Sequence, residues 1–154
     1  MVVAETTVAA ANVRIVHDKR RNLERFEGLI EEASTRGVDY LVLPEVGLQG
    51  YADLGFLQGT PESAEQKRYY FHEPEPIPGP STERIGELAA RHGMVVQLGL
   101  AESALAGNVI YNSVALLGPE GLAGVYRKAH NQFEYPYFMP GNEACAFEIG
   151  RAHV

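Results

Sequence analysis

The sequence predicts an α/β domain built on a mixed sheet covered by helices. Three observations predict it. A β-rich run, an amphipathic helical segment and a second β-rich run follow one another within the first 43 residues, the pattern of a parallel, right-handed βαβ unit. A second helical segment leads into a third strong β run at Met94–Leu100. Two further apolar runs flank the turn signal Pro119-Glu120-Gly121, which closes a hairpin and adds antiparallel strands.

Thr6–Val13 is small and β-branched and is read as the first strand. Asp18 can cap the helix that follows. Leu23, Phe26, Leu29, Ile30 and Ala33 recur at helical spacing within Lys19–Arg36, and Gly37 suits the residue just past its end. Tyr40–Leu43 does not alternate, so a strand buried on both faces is expected; Pro44 has no N–H and should stop its pairing. A short helix is expected near Ser63–Tyr70. Pro74, Pro76, Pro78 and Pro80 then interrupt regular structure. Ser81 or Thr82 can cap a helix presenting Ile85, Leu88 and Ala89 to the core, with Gly93 closing it. Asn112–Leu117 and Leu122–Arg127 form the hairpin. Residues 130–142 read as an irregular aromatic loop, and Ala144–Ile149 as one more strand.

The 154 residues, 45% hydrophobic and 21% charged, suit one soluble domain spanning 1–154. A net charge of −7, with Lys19-Arg20-Arg21 the sole basic run, argues against a nucleic-acid partner. No apolar stretch approaches the roughly 20 residues of a membrane span. The N-terminal stretch has acidic Glu5 and no basic segment ahead of an apolar one, so no secretory signal is expected and the cytoplasm is the default location. The single cysteine, Cys145, excludes an internal disulfide. The five histidines lack metal-ligand spacing, so no metal site is assigned.

Charged residues at strand ends carry the candidate chemistry. Glu45 ends the second β run, where ligands of open α/β sheets bind. It reads either as a general base in a partly dry pocket or as a glutamate that caps a loop or pairs with an arginine. Lys128 leaves the sheet after Tyr126-Arg127 and reads either as a stabiliser of a developing oxyanion or as a surface lysine. Glu134, in the aromatic loop, is either paired with a cation or functional. Tyr51 walls the pocket or packs ordinarily; His130 lines it or serves a loop hydrogen bond.

Five segments in order resemble the nitrilase, or carbon–nitrogen hydrolase, superfamily. They are Leu43-Pro44-Glu45 with Gly47-Leu48-Gln49-Gly50-Tyr51; Pro78-Gly79-Pro80-Ser81-Thr82; Tyr111-Asn112-Ser113; Tyr126-Arg127-Lys128-Ala129-His130; and Glu134 followed by Phe138-Met139-Pro140-Gly141-Asn142. The resemblance implies an α-β-β-α sandwich, incomplete at its C-terminus here, that forms a homodimer or higher homo-oligomer at full length. It implies hydrolysis of an amide, N-carbamoyl or nitrile bond by a Glu–Lys–Cys mechanism. Glu45 would be the base, Lys128 the oxyanion stabiliser and Glu134 the residue positioning the lysine or substrate, with no cofactor. Leu-Pro-Glu in place of Phe-Pro-Glu tilts the expected substrate towards amides and carbamoyl compounds.

Cys145 departs from the family pattern. It falls inside Ala144–Ile149, ahead of the family's nucleophile strand, and lacks its Cys-Tyr-Asp context. It is therefore expected to be a buried small hydrophobe far from Glu45 and Lys128. The nucleophile is expected beyond Val154, so the 154 residues alone should be inactive. Two rival readings are a glycoside hydrolase using Glu45 and Glu134 as a carboxylate pair, which a lysine between them would count against, and a non-catalytic binding or assembly module.

Overall fold

The computed structural model describes residues 5–51, 61–105, 109–131 and 137–148. The elements run β1 (Val8–Ala10), α1 (Lys19–Thr35), β2 (Tyr40–Val42), α2 (Pro61–His72), α3 (Pro80–His92), β3 (Val95–Ala104), β4 (Val109–Gly118) and β5 (Gly121–Arg127). They form one five-stranded sheet in the order β1-β2-β3-β4-β5. β1, β2 and β3 are parallel; β4 is antiparallel to both β3 and β5. The mixed sheet expected from the sequence is the one observed.

Strand order explains where the helices lie. The chain moves one way across the sheet from β1 to β3, so right-handed crossovers put their helices on the same face. Phe26, Ile30 and Ala33 of α1 and Ile85, Leu88 and Ala89 of α3 meet Leu41, Val96, Leu98, Leu100, Ala115 and Leu117 there. On the opposite face a smaller cluster joins Val46, Tyr70, Ala101 and Phe138. Among the described residues no helix is long and apolar enough to cross a membrane.

Local chemistry sets the helix ends. Asp18 caps α1 by accepting from the Arg21 N–H at 3.1 Å, and Gly37 follows it with φ +68°. Gly93, at φ +64°, ends α3. The start of α3 differs from expectation. Gly79 is its N-cap and Pro80 takes the first helical position, where a missing N–H costs nothing. Thr82 reaches back instead, accepting from the Gly79 N–H at 2.8 Å.

Strand bounds also differ. β1 and β2 have three residues each, because pairing stops at Pro44 and β1 extends no further than its partner. β2 is not buried on both faces: Leu41 is buried, whereas Tyr40 and Val42 are half-buried. The expected strand at Ala144–Ile149 is absent over residues 144–148; residue 149 lies outside the described residues. β-propensity there finds no ladder, and the segment is largely exposed. Cys145 is consequently exposed rather than buried.

Candidate active site

Glu45 sits in the turn immediately after β2. The chain stays on β3 on both sides of this turn: Leu43 N–H donates to Gln97 O at 2.9 Å and Leu48 N–H to Gly99 O at 3.1 Å. Gly99 makes the approach possible. A β-carbon there would collide with Pro44 O and come within 3.0 Å of both Glu45 Cα and Val46 N. Val46 has φ +46°, a region disfavoured for a β-branched side chain, and is fully buried. Backbone strain thus lies directly beside Glu45, held by packing around Val46.

Gln49 anchors the rest of the loop. Its buried amide accepts from Ala101 N–H at 2.8 Å and donates to Ala101 O at 3.3 Å and Glu73 O at 3.2 Å. Beside it, Lys19 Nζ bridges Glu73 Oε2 and Glu75 Oε1, each at 3.0 Å. Burial pulls the Lys19 ammonium down, but the two carboxylates outweigh it and its pKa lies above the ordinary value.

Lys128 follows β5 and reaches the same place from the other end of the sheet. Its Nζ donates to Glu45 Oε1 at 2.7 Å. Asn112 of β4 donates from Nδ2 to that same oxygen, also at 2.7 Å. The Glu45 side chain is 50% exposed and the Lys128 side chain 31%, so the pair is reachable from solvent. A carboxylate, an ammonium and a buried amide converge at an accessible point where the β2 turn meets β4 and β5. That set can accept a proton and steady a negative charge.

Of the other candidates, Tyr51 is half-buried beside the Val46–Phe138 cluster, with its carbonyl accepting from His17 Nε2 at 3.0 Å. His130 is exposed. Glu134 lies outside the described residues. Among the described residues no group of three or more His, Cys, Asp or Glu side chains has metal-holding geometry.

Cys145 lies elsewhere. It lines a cavity of about 240 Å³ with Ile77, Glu102, Val125, Arg127, Asn142 and Glu143. Arg127 and Lys128 are consecutive, and side chains alternate along an extended chain, so the thiol shares the Arg127 side and not the Lys128 side.

The residue that the sequence reading passed over is Asn112. It was visible as part of Tyr111-Asn112-Ser113 but had no role assigned. The usable signal was a pair of polar residues inside the apolar run of β4, since a buried amide must find a partner.

Residues 7–154 match the carbon–nitrogen hydrolase family. The chain is 33% identical over 133 residues to a nitrilase of Pyrococcus abyssi, covering 84% of this chain and 46% of the relative. It is 34% identical over 124 residues to the omega-amidase NIT2 of Bos taurus, covering 80% and 40%. It superposes on the crystal structure of Saccharomyces cerevisiae Nit3, a member of branch 10 of the nitrilase superfamily, with a TM-score of 0.71 at 23% identity, covering 89% of this chain and 48% of that one. The chain thus spans about half the length of the curated relatives it matches. With this match over nearly its whole length and the shared α/β fold, the chain belongs to the carbon–nitrogen hydrolase family of the nitrilase superfamily.

Proposed function

We propose that Glu45 and Lys128 are the base and the oxyanion-stabilising cation of a hydrolase of non-peptide carbon–nitrogen bonds, with an amide or N-carbamoyl compound as substrate. The 2.7 Å contact between Lys128 Nζ and Glu45 Oε1 is the observation that supports this reading most. Glu45 takes the proton of a cysteine thiol, and the thiolate attacks the carbonyl carbon. Lys128 stabilises the tetrahedral oxyanion. As the C–N bond breaks, the proton passes to the leaving nitrogen. Water then attacks the thioester with Glu45 again as base, releasing acid and thiol. Glu134 is assigned the positioning of the lysine or substrate, and Tyr51 and His130 the lining of the pocket. Cys145, on the Arg127 side, is not the nucleophile in this reading; a cysteine outside the 154 residues is.

The carboxylate-pair reading is disfavoured, because the partner of Glu45 is an ammonium and the chain belongs to the carbon–nitrogen hydrolases. We further propose a homo-oligomer, as the family resemblance implies, which light scattering checks, and a cytoplasmic location, the default for an N-terminal stretch without a secretory pattern. The test of function is ammonia release from a panel of small amides, N-carbamoyl compounds and nitriles. It compares the 154-residue chain with a longer form supplying a further cysteine. The expected result is turnover by the longer form alone, abolished by Glu45→Gln or Lys128→Met and unaffected by Cys145→Ala. Turnover by the 154 residues that is lost on Cys145→Ala would overturn the reading.

A further inference from the structure

Asn112 touches both charged residues at once. Its main-chain oxygen accepts the Lys128 N–H at 2.8 Å, which fixes where the lysine leaves the sheet. Its side chain donates to Glu45 Oε1 at 2.7 Å. The residue is 3% exposed and lies opposite Ala101, which is fully buried. One rigid strand residue therefore sets the register of the cation and the orientation of the carboxylate.

Both hydrogen bonds that the described residues give to the Glu45 carboxylate end on Oε1. That leaves the two carboxylate oxygens inequivalent. An ammonium is a compact point charge with rotatable donors, so it sets the distance of the carboxylate more than its orientation. A second cation would hold the carboxylate more firmly but would oppose its taking a proton. A neutral amide on a strand orients it without adding charge.

We propose that Asn112 is a positioning residue of this site: it pins Glu45 Oε1 beside Lys128 so that Oε2 is the atom that receives and returns the proton. This rests on Glu45 being the base. Losing the amide leaves the carboxylate free to turn about its last bond, and the reacting geometry is sampled less often.

Two substitutions test it. Asn112→Ser removes the reach of the donor, and Asn112→Asp keeps the volume but replaces the donor with an acceptor. Turnover is measured in a form active in the ammonia assay, below the thermal midpoint of each variant and per folded protein. The expected result is a fall in kcat of about 10- to 100-fold with KM little changed, and Asn112→Asp is expected to be no better than Asn112→Ser. A role in packing alone reverses that order, because aspartate is the closer fit. A crystal structure of the 154-residue Asn112→Ser chain supplies an independent reading: the Glu45 carboxylate is expected to leave its present orientation. Wild-type kcat in both variants, or an unmoved carboxylate, overturns the proposal. Glu45→Gln separates the two claims. If it retains turnover, Glu45 is not the base; if it is dead while both Asn112 variants are fully active, only the role of Asn112 fails.

Discussion

Two carboxylate–cation pairs lie on opposite faces of the sheet, one between β3 and β5 and the other between the turn after β2 and the residue after β5. On the helix-covered face, Glu102 of β3 takes Nε of Arg127 at 2.8 Å on Oε2 and Nη2 on Oε1, while Ser113 Oγ donates to Oε2 at 2.6 Å. The Glu102 side chain is 4% exposed, and Arg127 is 4.2 Å above the Tyr111 ring. The hydrogen bonds to Glu102 hold the Arg127 guanidinium above its ordinary pKa. On the other face, Glu45 meets Lys128 through one oxygen and is half exposed. The first pair is bidentate and stacked, and its carboxylate is buried although the Arg127 side chain is 41% exposed, so losing the arginine strands a buried negative charge. The second is single-pronged and wet, and contributes little to stability. Neighbours in sequence, Arg127 and Lys128, are divided by strand alternation between a clamp that holds β3 to β5 and a group that meets Glu45 on the opposite face.

The largest expected loss is for Gly99→Ala, about 3 kcal/mol, because the added carbon meets the backbone of the Pro44 turn, which cannot rotate away. Urea denaturation measures it, and the variant is expected to displace Glu45 as well. Next is Glu102→Ala, expected to cost about 2–3 kcal/mol by leaving Arg127 and Ser113 without their acceptor; the partial exposure of Arg127 holds this below the cost of a fully buried pair. Arg127→Lys should cost about 1–2 kcal/mol, since an ammonium cannot reproduce the two-pronged contact or the stacking on Tyr111. The smallest change is expected for Glu45→Gln, within about 1 kcal/mol by the same denaturation, because an exposed pair is easily replaced by water.

The βαβ start, both described long helices and the hairpin were legible in the sequence because each is written locally. Phe26, Ile30 and Ala33 recur at helical spacing, and Asp18, Gly37 and Gly93 mark ends that the structure keeps. Glu45 and Lys128 were legible as candidates through the punctuation around them, Pro44 and the end of a strand. What escaped was non-local. Gly99 looks like any strand glycine until the Pro44 turn is laid against it. Asn112 has no partner until β4 is placed beside the β2 turn. Ala144–Ile149 has strand composition, but composition cannot supply a neighbouring ladder. The exposure of Cys145 follows from that missing pairing.

The most direct test of this account sets the two pairs against each other in one assay: ammonia release by Glu45→Gln and by Glu102→Gln in a turnover-competent form, at a temperature where both are folded. The account predicts a loss of about 100-fold or more for Glu45→Gln, with full stability, and a rate close to wild type for Glu102→Gln despite lower stability. Turnover that survives Glu45→Gln but disappears with Glu102→Gln would contradict it and move the chemistry to the Arg127 face.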